Sequence, residues 1–165
     1  MMTSAMRLVL YQPDIPQNTG TMLRLAACLG AAVDIIEPAG FDVSDRNFRR
    51  SGMDYLDAVE IVRHPSWRAF EAWRSERGHR LVLATTQAAL PYTVFAFDRT
   101  DAIMMGRESA GVPEAVHAAA DARVLVPMRP GMRSLNVAVT AGMLLGEALR
   151  QTGGFPSTLQ QDPPA

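Results

Sequence analysis

Short apolar runs alternate with longer stretches of helical periodicity along most of the chain. Each apolar run is bounded by polar, glycine or proline residues, as expected of strands buried in a parallel sheet. The runs predict six strands, at 8–10, 33–36, 59–62, 81–83, 102–105 and 124–126. This alternation predicts βαβ units, and therefore an α/β fold with a mainly parallel sheet and helices on both faces.

The first predicted helix carries apolar residues at i, i+3, i+4 and i+7, namely Met22, Leu25, Ala26 and Leu29. Asn18 is its predicted N-cap and Gly30 its predicted C-terminal stop. Further helices are predicted over 67–77, 113–120 and about 135–150. Ser134 or Asn136 is expected to cap the last one.

The last predicted helix is apolar on nearly every side, whereas a helix at a monomer surface has a polar face. We therefore expect a second subunit to cover part of it. Length and pattern predict a single domain over residues 1–150. Glycines, prolines and glutamines predict a flexible C-terminal tail over 151–165.

Composition excludes several classes of protein. Hydrophobic residues make up 48% and charged residues 20%, which excludes wholesale disorder. The single cysteine, Cys28, excludes an internal disulfide, and the three dispersed histidines predict no metal site. No apolar run is long enough to span a membrane, and the first residues lack a signal-peptide pattern. A soluble, cytoplasmic protein is expected.

The net charge of −1 argues against wholesale binding of duplex DNA but leaves room for a local basic patch. All 16 basic residues are arginines. Any anion site must therefore use guanidinium groups or backbone N–H groups.

Polar residues and glycines cluster in four segments at the carboxyl ends of predicted strands. In α/β proteins, this end of the strands is where ligands bind. The first segment, 13–24, contains Asn18 and Arg24. The second, 45–50, combines Phe48 with three arginines in a pattern that suits RNA phosphates and bases: Arg46, Arg49 and Arg50. The others are 106–113 and 126–136.

Segments 13–24, 45–50 and 126–136 also have ordinary structural explanations: a helix cap with a solvated arginine, a charged helix face, and a capped turn. Segment 106–113 lacks the Lys-Ser/Thr of a P-loop, and no G-x-G-x-x-G occurs, which argues against nucleoside triphosphate hydrolysis and Rossmann-type dinucleotide binding. No nucleophile elbow is present, which argues against a covalent hydrolase. Four such segments in one small sheet nevertheless favour a ligand site.

Three of the segments, taken in order, resemble the signature motifs of the SPOUT superfamily of S-adenosylmethionine-dependent RNA methyltransferases, in its ribose 2′-O-methylating branch. The motifs are Asn18-Thr19-Gly20 with Arg24, Met105-Gly106-Arg107-Glu108 through Pro113, and Val126-Pro127-Met128 through Ser134-Leu135-Asn136. Segments 10–16 and 49–55 are similar to the small tRNA wobble-nucleotide enzymes. The chain departs from many relatives at Ala138, where they carry a serine.

The resemblance implies a deep C-terminal trefoil knot, which hydrophobic periodicity does not predict. It also implies a homodimer with an active site shared between subunits. S-adenosylmethionine would be bound by residues of the knot and its neighbouring loops: Ala84, Gly106, Glu108, Val126, Met128, Ser134 and Leu135.

The same resemblance implies methylation of the 2′-hydroxyl of tRNA nucleotide 34, a cytidine or modified uridine, in leucine tRNAs. Its catalytic residues would be Arg24, Asn18 and Asn136, while Arg46, Arg49 and Arg50 would hold the anticodon stem-loop. Because a guanidinium is rarely a base at neutral pH, we expect Arg24 to orient the acceptor and stabilise its developing charge. Methylation at another tRNA or rRNA site, and an RNA-binding protein without catalysis, remain open.

Overall fold

The computed structural model describes residues 5–42 and 57–157. Its strands are β1 (Arg7–Tyr11), β2 (Ala32–Ile36), β3 (Ile61–His64), β4 (Leu81–Ala84), β5 (Ala102–Met105) and β6 (Ala122–Val124). Its helices are α1 (Pro16–Leu29), α2 (Trp67–Arg77), α3 (Glu114–Ala119) and α4 (Val137–Thr152). The strands form one sheet in the order β3-β2-β1-β5-β4-β6, and each neighbouring pair is parallel.

Helices cover both faces of this sheet. Successive side chains of a strand point to opposite faces, so the central strand β1 contributes to two cores. Leu8 and Leu10 belong to a buried cluster that also contains residues of α1 and α4. Val9 belongs to a second cluster, with Phe70 of α2 and Val116 of α3. The predicted α/β fold with its parallel sheet is confirmed.

One buried ionic network joins the first three strands. Asp34, in the otherwise apolar β2, is fully buried and accepts a hydrogen bond from Arg7 Nε at 2.6 Å. Its other oxygen lies 2.8 Å from His64 Nε2, at the end of β3. Because a buried carboxylate is tolerated only with such partners, the network stabilises this half of the sheet in one arrangement.

The helix boundaries confirm some predictions and correct others. The prediction that Asn18 caps α1 is wrong, because the N-cap is Ile15 and Pro16 occupies the first turn. Proline suits that position, since its fixed φ is already helical and it has no N–H to leave unsatisfied. Asn136 caps α4 as expected, accepting hydrogen bonds from the N–H groups of Ala138 and Val139.

Two strands are shifted relative to the prediction. β3 covers 61–64 rather than 59–62, and β6 covers 122–124 rather than 124–126. Beyond Val124 the chain leaves β4, and Leu125 instead pairs with Pro91 in the segment between β4 and β5. At the sheet edge, β6 is only partly buried, so it lacks the apolar pattern by which central strands are recognised.

Helix α4 ends at Thr152, two residues beyond the predicted end at Arg150. Gln151, assigned to the tail by the sequence, binds the segment before β5 through the backbone N–H of Phe97 and the carbonyl of Phe95. Residues 158–165 of the predicted tail lie outside the described residues. Among the helices that the structure describes, none is long and apolar enough to cross a membrane.

Candidate active site

A cavity of about 620 Å³ opens at the carboxyl ends of β4, β5 and β6, beside the start of α4. This volume lies within the range of pockets that bind small molecules. Parallel strands bring their carboxyl ends to one edge of the sheet, so loops that are distant in sequence meet there. The cavity is therefore assembled from segments spread over most of the chain.

The structure brings most of the predicted site residues together. All residues predicted to bind the cofactor line the cavity: Ala84, Gly106, Glu108, Val126, Met128, Ser134 and Leu135. Asn18 and Asn136 line it as well. Arg24 does not: it lies on the exposed side of α1. The predicted RNA-binding residues Arg46, Arg49 and Arg50 fall outside the described residues.

The loop after β5 is shaped by two glycines. The backbone N–H groups of Arg107 and Gly111 each donate to the other residue's carbonyl, at 3.0 and 2.8 Å. A Cβ at Gly106 would lie 2.9 Å from Cα of Gly111, and Gly111 itself has a φ of +61°. This turn therefore requires glycine at both positions, at one for space and at the other for its backbone conformation.

A pair of carboxyl groups joins this loop to the one that follows β1. The N–H of Glu108 donates to Asp14 Oδ1 at 3.2 Å, and the N–H of Asp14 donates to Glu108 Oε2 at 3.3 Å. The hydroxyl of Ser109 also donates to Asp14. Asp14 and Glu108 are 94 positions apart in sequence, so these bonds fix the relative positions of two walls of the site.

Of the two carboxyl groups, Glu108 is the one that takes up a proton first as the pH falls. Burial raises the pKa of Glu108, and its hydrogen bond with Asp14 raises it further. The same side-chain hydrogen bond lowers the pKa of Asp14, more strongly than burial raises it. Protonation of one of two adjacent carboxyl groups avoids placing two negative charges together.

Within the described part of the chain, two polar atoms at the cavity are buried without a hydrogen-bond partner: Glu108 Oε1 and His117 Nε2. Buried polar atoms nearly always have partners, so a bound molecule with polar groups would satisfy both. The cavity thus has the volume and the unsatisfied polar atoms expected of a site for a polar cofactor. No group of three or more potential metal ligands occurs within the described part of the chain.

The two predicted asparagines meet at the mouth of the cavity. Asn136 Nδ2 donates to Asn18 Oδ1 at 3.1 Å, while Asn136 Oδ1 caps α4. Asn18, in the first turn of α1, thus holds the start of α4 rather than capping its own helix. One side chain therefore connects the first and third motifs of the sequence.

Sequence reasoning missed several residues that line the cavity. Thr85, Thr86 and Gln87 follow β4, so the strand-end rule that selected the other loops would have found them. Arg107 lies inside a motif but had no role assigned. His117 had no local signal, because only the packing of α3 brings it to the cavity.

Glu108→Gln is expected to make unfolding free energy less dependent on pH. In the wild type, the stabilisation that goes with the raised pKa of Glu108 is complete below about pH 4, near the ordinary glutamate pKa. It is lost as the pH rises through the raised value in the folded state. Glutamine retains the shape and cannot ionise, so the variant should gain stability relative to the wild type as the pH rises from about 4 towards neutral.

Urea unfolding of the ligand-free protein across this pH range measures the effect. Glu76→Gln, which removes an exposed carboxylate from α2, controls for the loss of one negative charge. A stability difference between Glu108→Gln and wild type that stays constant with pH would contradict the assignment of the proton to Glu108.

Comparison with known proteins gives consistent matches. The model of the SpoU rRNA Methylase family matches residues 5–146. The tRNA (cytidine(34)-2'-O)-methyltransferase of Beijerinckia indica is 67% identical over 152 residues, which cover 92% of this chain and 95% of that protein.

Solved structures are also similar to this chain. One, described as "Structural insights into the 2-OH methylation of C/U34 on tRNA", is similar with a TM-score of 0.83 and 38% identity, over 90% of this chain and 96% of that one. The SpoU methyltransferase AviRb from Streptomyces viridochromogenes, in complex with the cofactor AdoMet, has a TM-score of 0.83 and 29% identity. That similarity covers 92% of this chain and 62% of AviRb.

Proposed function

The chain belongs to the SpoU rRNA Methylase family, and we propose that it transfers a methyl group from S-adenosylmethionine to the ribose 2′-hydroxyl of tRNA nucleotide 34. The observation that carries this proposal is the meeting of the three motifs at one cavity. Asn18 and Asn136 are 118 positions apart and are hydrogen-bonded to each other, beside the loop that contains Gly106 and Glu108.

The cofactor, when bound, supplies an electrophilic methyl group. The residues that would hold it line the cavity: Ala84, Gly106, Glu108, Val126, Met128, Ser134 and Leu135. Their chemistry fits, since backbone groups and uncharged side chains surround one carboxyl group whose Oε1 has no hydrogen-bond partner among the described residues. That oxygen suits a group on the ligand that carries N–H or positive charge.

The acceptor hydroxyl must lose its proton during transfer. The pKa of a ribose hydroxyl lies far above neutral pH, so its full ionisation at neutral pH would be costly, at roughly 1.36 kcal/mol per pKa unit. A fixed cation next to the oxygen lowers this cost as negative charge develops. We assign that role to Arg24, with Asn18 and Asn136 holding the loops around the acceptor.

We further propose a homodimer in which Arg24 serves the cavity of the partner subunit. Arg24 is exposed and does not line the cavity of its own chain, which supports a role across an interface. Apolar side chains next to the cavity support such an interface too: Met132 is 67% exposed, Leu135 40% and Val139 53%. Exposed apolar residues grouped in this way mark association surfaces.

We also propose that the chain forms a C-terminal trefoil knot. The segment between β4 and β5 hydrogen-bonds to Leu125, through the carbonyl of Leu90 and the N–H of Tyr92. The same segment binds Gln151 near the end of α4. Contacts of one loop with both ends of the segment that follows β6 support threading of that segment through the loop.

For the RNA, Arg46, Arg49 and Arg50 remain the proposed contacts to the anticodon stem-loop, and the cytoplasm is the proposed location. Methylation of another RNA and an RNA-binding role without catalysis are the alternatives that the experiment must separate.

The test is transfer of labelled methyl from S-adenosylmethionine to unmodified total tRNA, followed by nuclease mapping of the labelled nucleotide. Label on the ribose of nucleotide 34 is expected, and purified isoacceptors then show whether leucine tRNAs are preferred. Label only on rRNA would contradict the tRNA assignment. Absence of both label and stabilisation by S-adenosylhomocysteine would contradict the methyltransferase assignment, since a cofactor at 100 times its Kd should add about 2.7 kcal/mol to unfolding free energy.

A further inference from the structure

Arg107 is the one arginine among the described residues that line the cavity, and neither the motif comparison nor the proposed chemistry gives it a role. It lies between Gly106 and Glu108 in the loop after β5. Five arginines in the described part of the chain are paired with carboxylates: Arg7, Arg63, Arg74, Arg80 and Arg150. Arg107 is not among them, so its positive charge is not neutralised by an ion pair within the described residues.

The guanidinium of Arg107 is nevertheless held in position. Its Nε donates to the carbonyl of Gly111 at 3.1 Å, and its Nη1 donates to Gln12 Oε1 at 3.4 Å. Its central carbon lies 5.4 Å from the centre of the Tyr11 ring. A guanidinium has five N–H donors, so these contacts fix its position and leave most of the donors for a ligand.

The residue that accepts the hydrogen bond from Arg107 Nη1 has an unusual backbone conformation. Gln12 has a φ of +42°, in the left-handed region that residues other than glycine rarely adopt. Its N–H donates to the carbonyl of Ile36 at 2.9 Å, which holds this conformation at the end of β1. Backbone strain of this kind persists where the surrounding structure enforces it, and it is concentrated at ligand sites.

The position of Arg107 favours the RNA over the cofactor as its ligand. Its partners Tyr11 and Gln12 are at the end of β1, whose following loop leads into α1 with Asn18. The predicted cofactor residues other than Glu108 and Gly106 come from the opposite side, after β4 and β6. A preorganised guanidinium suits the paired oxygens of a phosphate.

We propose that Arg107 binds a backbone phosphate of the RNA substrate next to the nucleotide that is methylated. This proposal rests on the proposed function. Arg107, inside the second motif, would then contact the RNA in addition to the three arginines of segment 45–50.

The test compares Arg107→Gln and Arg107→Lys with the wild type in equilibrium binding of tRNA over a range of KCl concentrations. The neutral Arg107→Gln should bind tRNA about tenfold more weakly, the effect of one charge-assisted hydrogen bond. Its plot of log affinity against log salt should be shallower by about 0.7–0.9, as expected for one phosphate contact fewer. Arg107→Lys keeps the charge and should retain the wild-type slope with weaker binding.

Two further measurements separate a contact to RNA from a structural role in the loop. The affinity for S-adenosylhomocysteine should stay within about twofold of the wild type in both variants, since the cofactor would contact the loop elsewhere. Arg68→Ala removes an exposed arginine from α2, a helix that contributes no residue to the cavity, and should leave both ligands unaffected.

An unchanged salt slope in Arg107→Gln would overturn the proposal, as would a tenfold loss of S-adenosylhomocysteine affinity with normal tRNA binding. These binding assays need no turnover, so they are independent of the activity that tests the proposed function. A wild-type protein that binds tRNA but methylates none would contradict the function alone. A wild-type protein that binds no tRNA would contradict both.

Discussion

Arg24→Ala is expected to reduce methyl transfer by about 10²–10³-fold, the effect of removing one preorganised donor from a developing oxyanion. The affinity for S-adenosylhomocysteine should not change, because Arg24 is assigned to the acceptor hydroxyl and not to the group of residues proposed to hold the cofactor. The loss should therefore appear in kcat and not in cofactor binding.

Single-turnover transfer to tRNA, with cofactor affinity measured separately, checks this result. Arg24→Lys keeps the charge but not the planar fork, so partial activity would separate electrostatic stabilisation from orientation of the acceptor. Unchanged turnover in Arg24→Ala would remove this residue from the mechanism.

A mixing experiment tests whether Arg24 acts across the dimer. Arg24→Ala chains have an intact cavity, whereas Gly106→Val chains have an intact Arg24 and a blocked cavity. After gel filtration has shown that both variants assemble, random exchange should give about half heterodimers, each with one complete site. About a quarter of wild-type activity is then expected from two inactive proteins. Continued inactivity would show that Arg24 serves its own subunit.

Gly106→Ala is expected to weaken cofactor binding by at least tenfold and to cost about 1–3 kcal/mol of stability, as overpacking does. The added Cβ would lie 2.9 Å from Cα and 3.0 Å from the carbonyl carbon of Gly111. Both are backbone atoms, so no side-chain rotation can relieve the contact. The turn must open, and the hydrogen bonds between Arg107 and Gly111 would lengthen.

Thermal or urea unfolding with and without S-adenosylhomocysteine measures both effects together. A ligand concentration that adds about 2.7 kcal/mol to the wild type should add only about 1.4 kcal/mol to a variant with tenfold weaker binding. Gly78→Ala is a suitable control. Its φ of +72° makes alanine strained there, but its Cβ would meet nothing within 4 Å and α2 contributes no residue to the cavity. Equal ligand stabilisation in Gly106→Ala and wild type would contradict the role of this turn.

The fold class could be predicted from sequence patterns because each strand and helix is marked by residues that are close together in the chain. Strands β1, β2, β4 and β5 are buried on both faces, and their sequences are mostly apolar. The end of α2 could be read from Gly78, whose left-handed conformation stops a helix. Edge strand β6 was misplaced because partial burial removes the apolar pattern that marks a central strand.

Asn18 shows the limit of local reasoning at the site. By itself an asparagine before an apolar stripe predicts a helix cap, yet its side chain receives a hydrogen bond from Asn136, 118 positions away. The pair of Asp14 with Glu108 had no sequence signal at all, because nothing in either segment indicates that β1 and β5 are neighbours.

From the amino-acid sequence one could predict the approximate positions of the strands and helices, the strand-end segments that carry polar residues, and a resemblance specific enough to suggest a reaction. These depend on residues close together in the chain, where steric and hydrophobic preferences act directly. Three features could be seen only in the folded structure. They are the strand order, the hydrogen-bond partners of Asn18, Glu108 and Arg107, and the position of Arg24 away from its own cavity. Those features depend on which distant segments pack against each other. The free energy of that packing is a sum over contacts throughout the core, so no single segment specifies it.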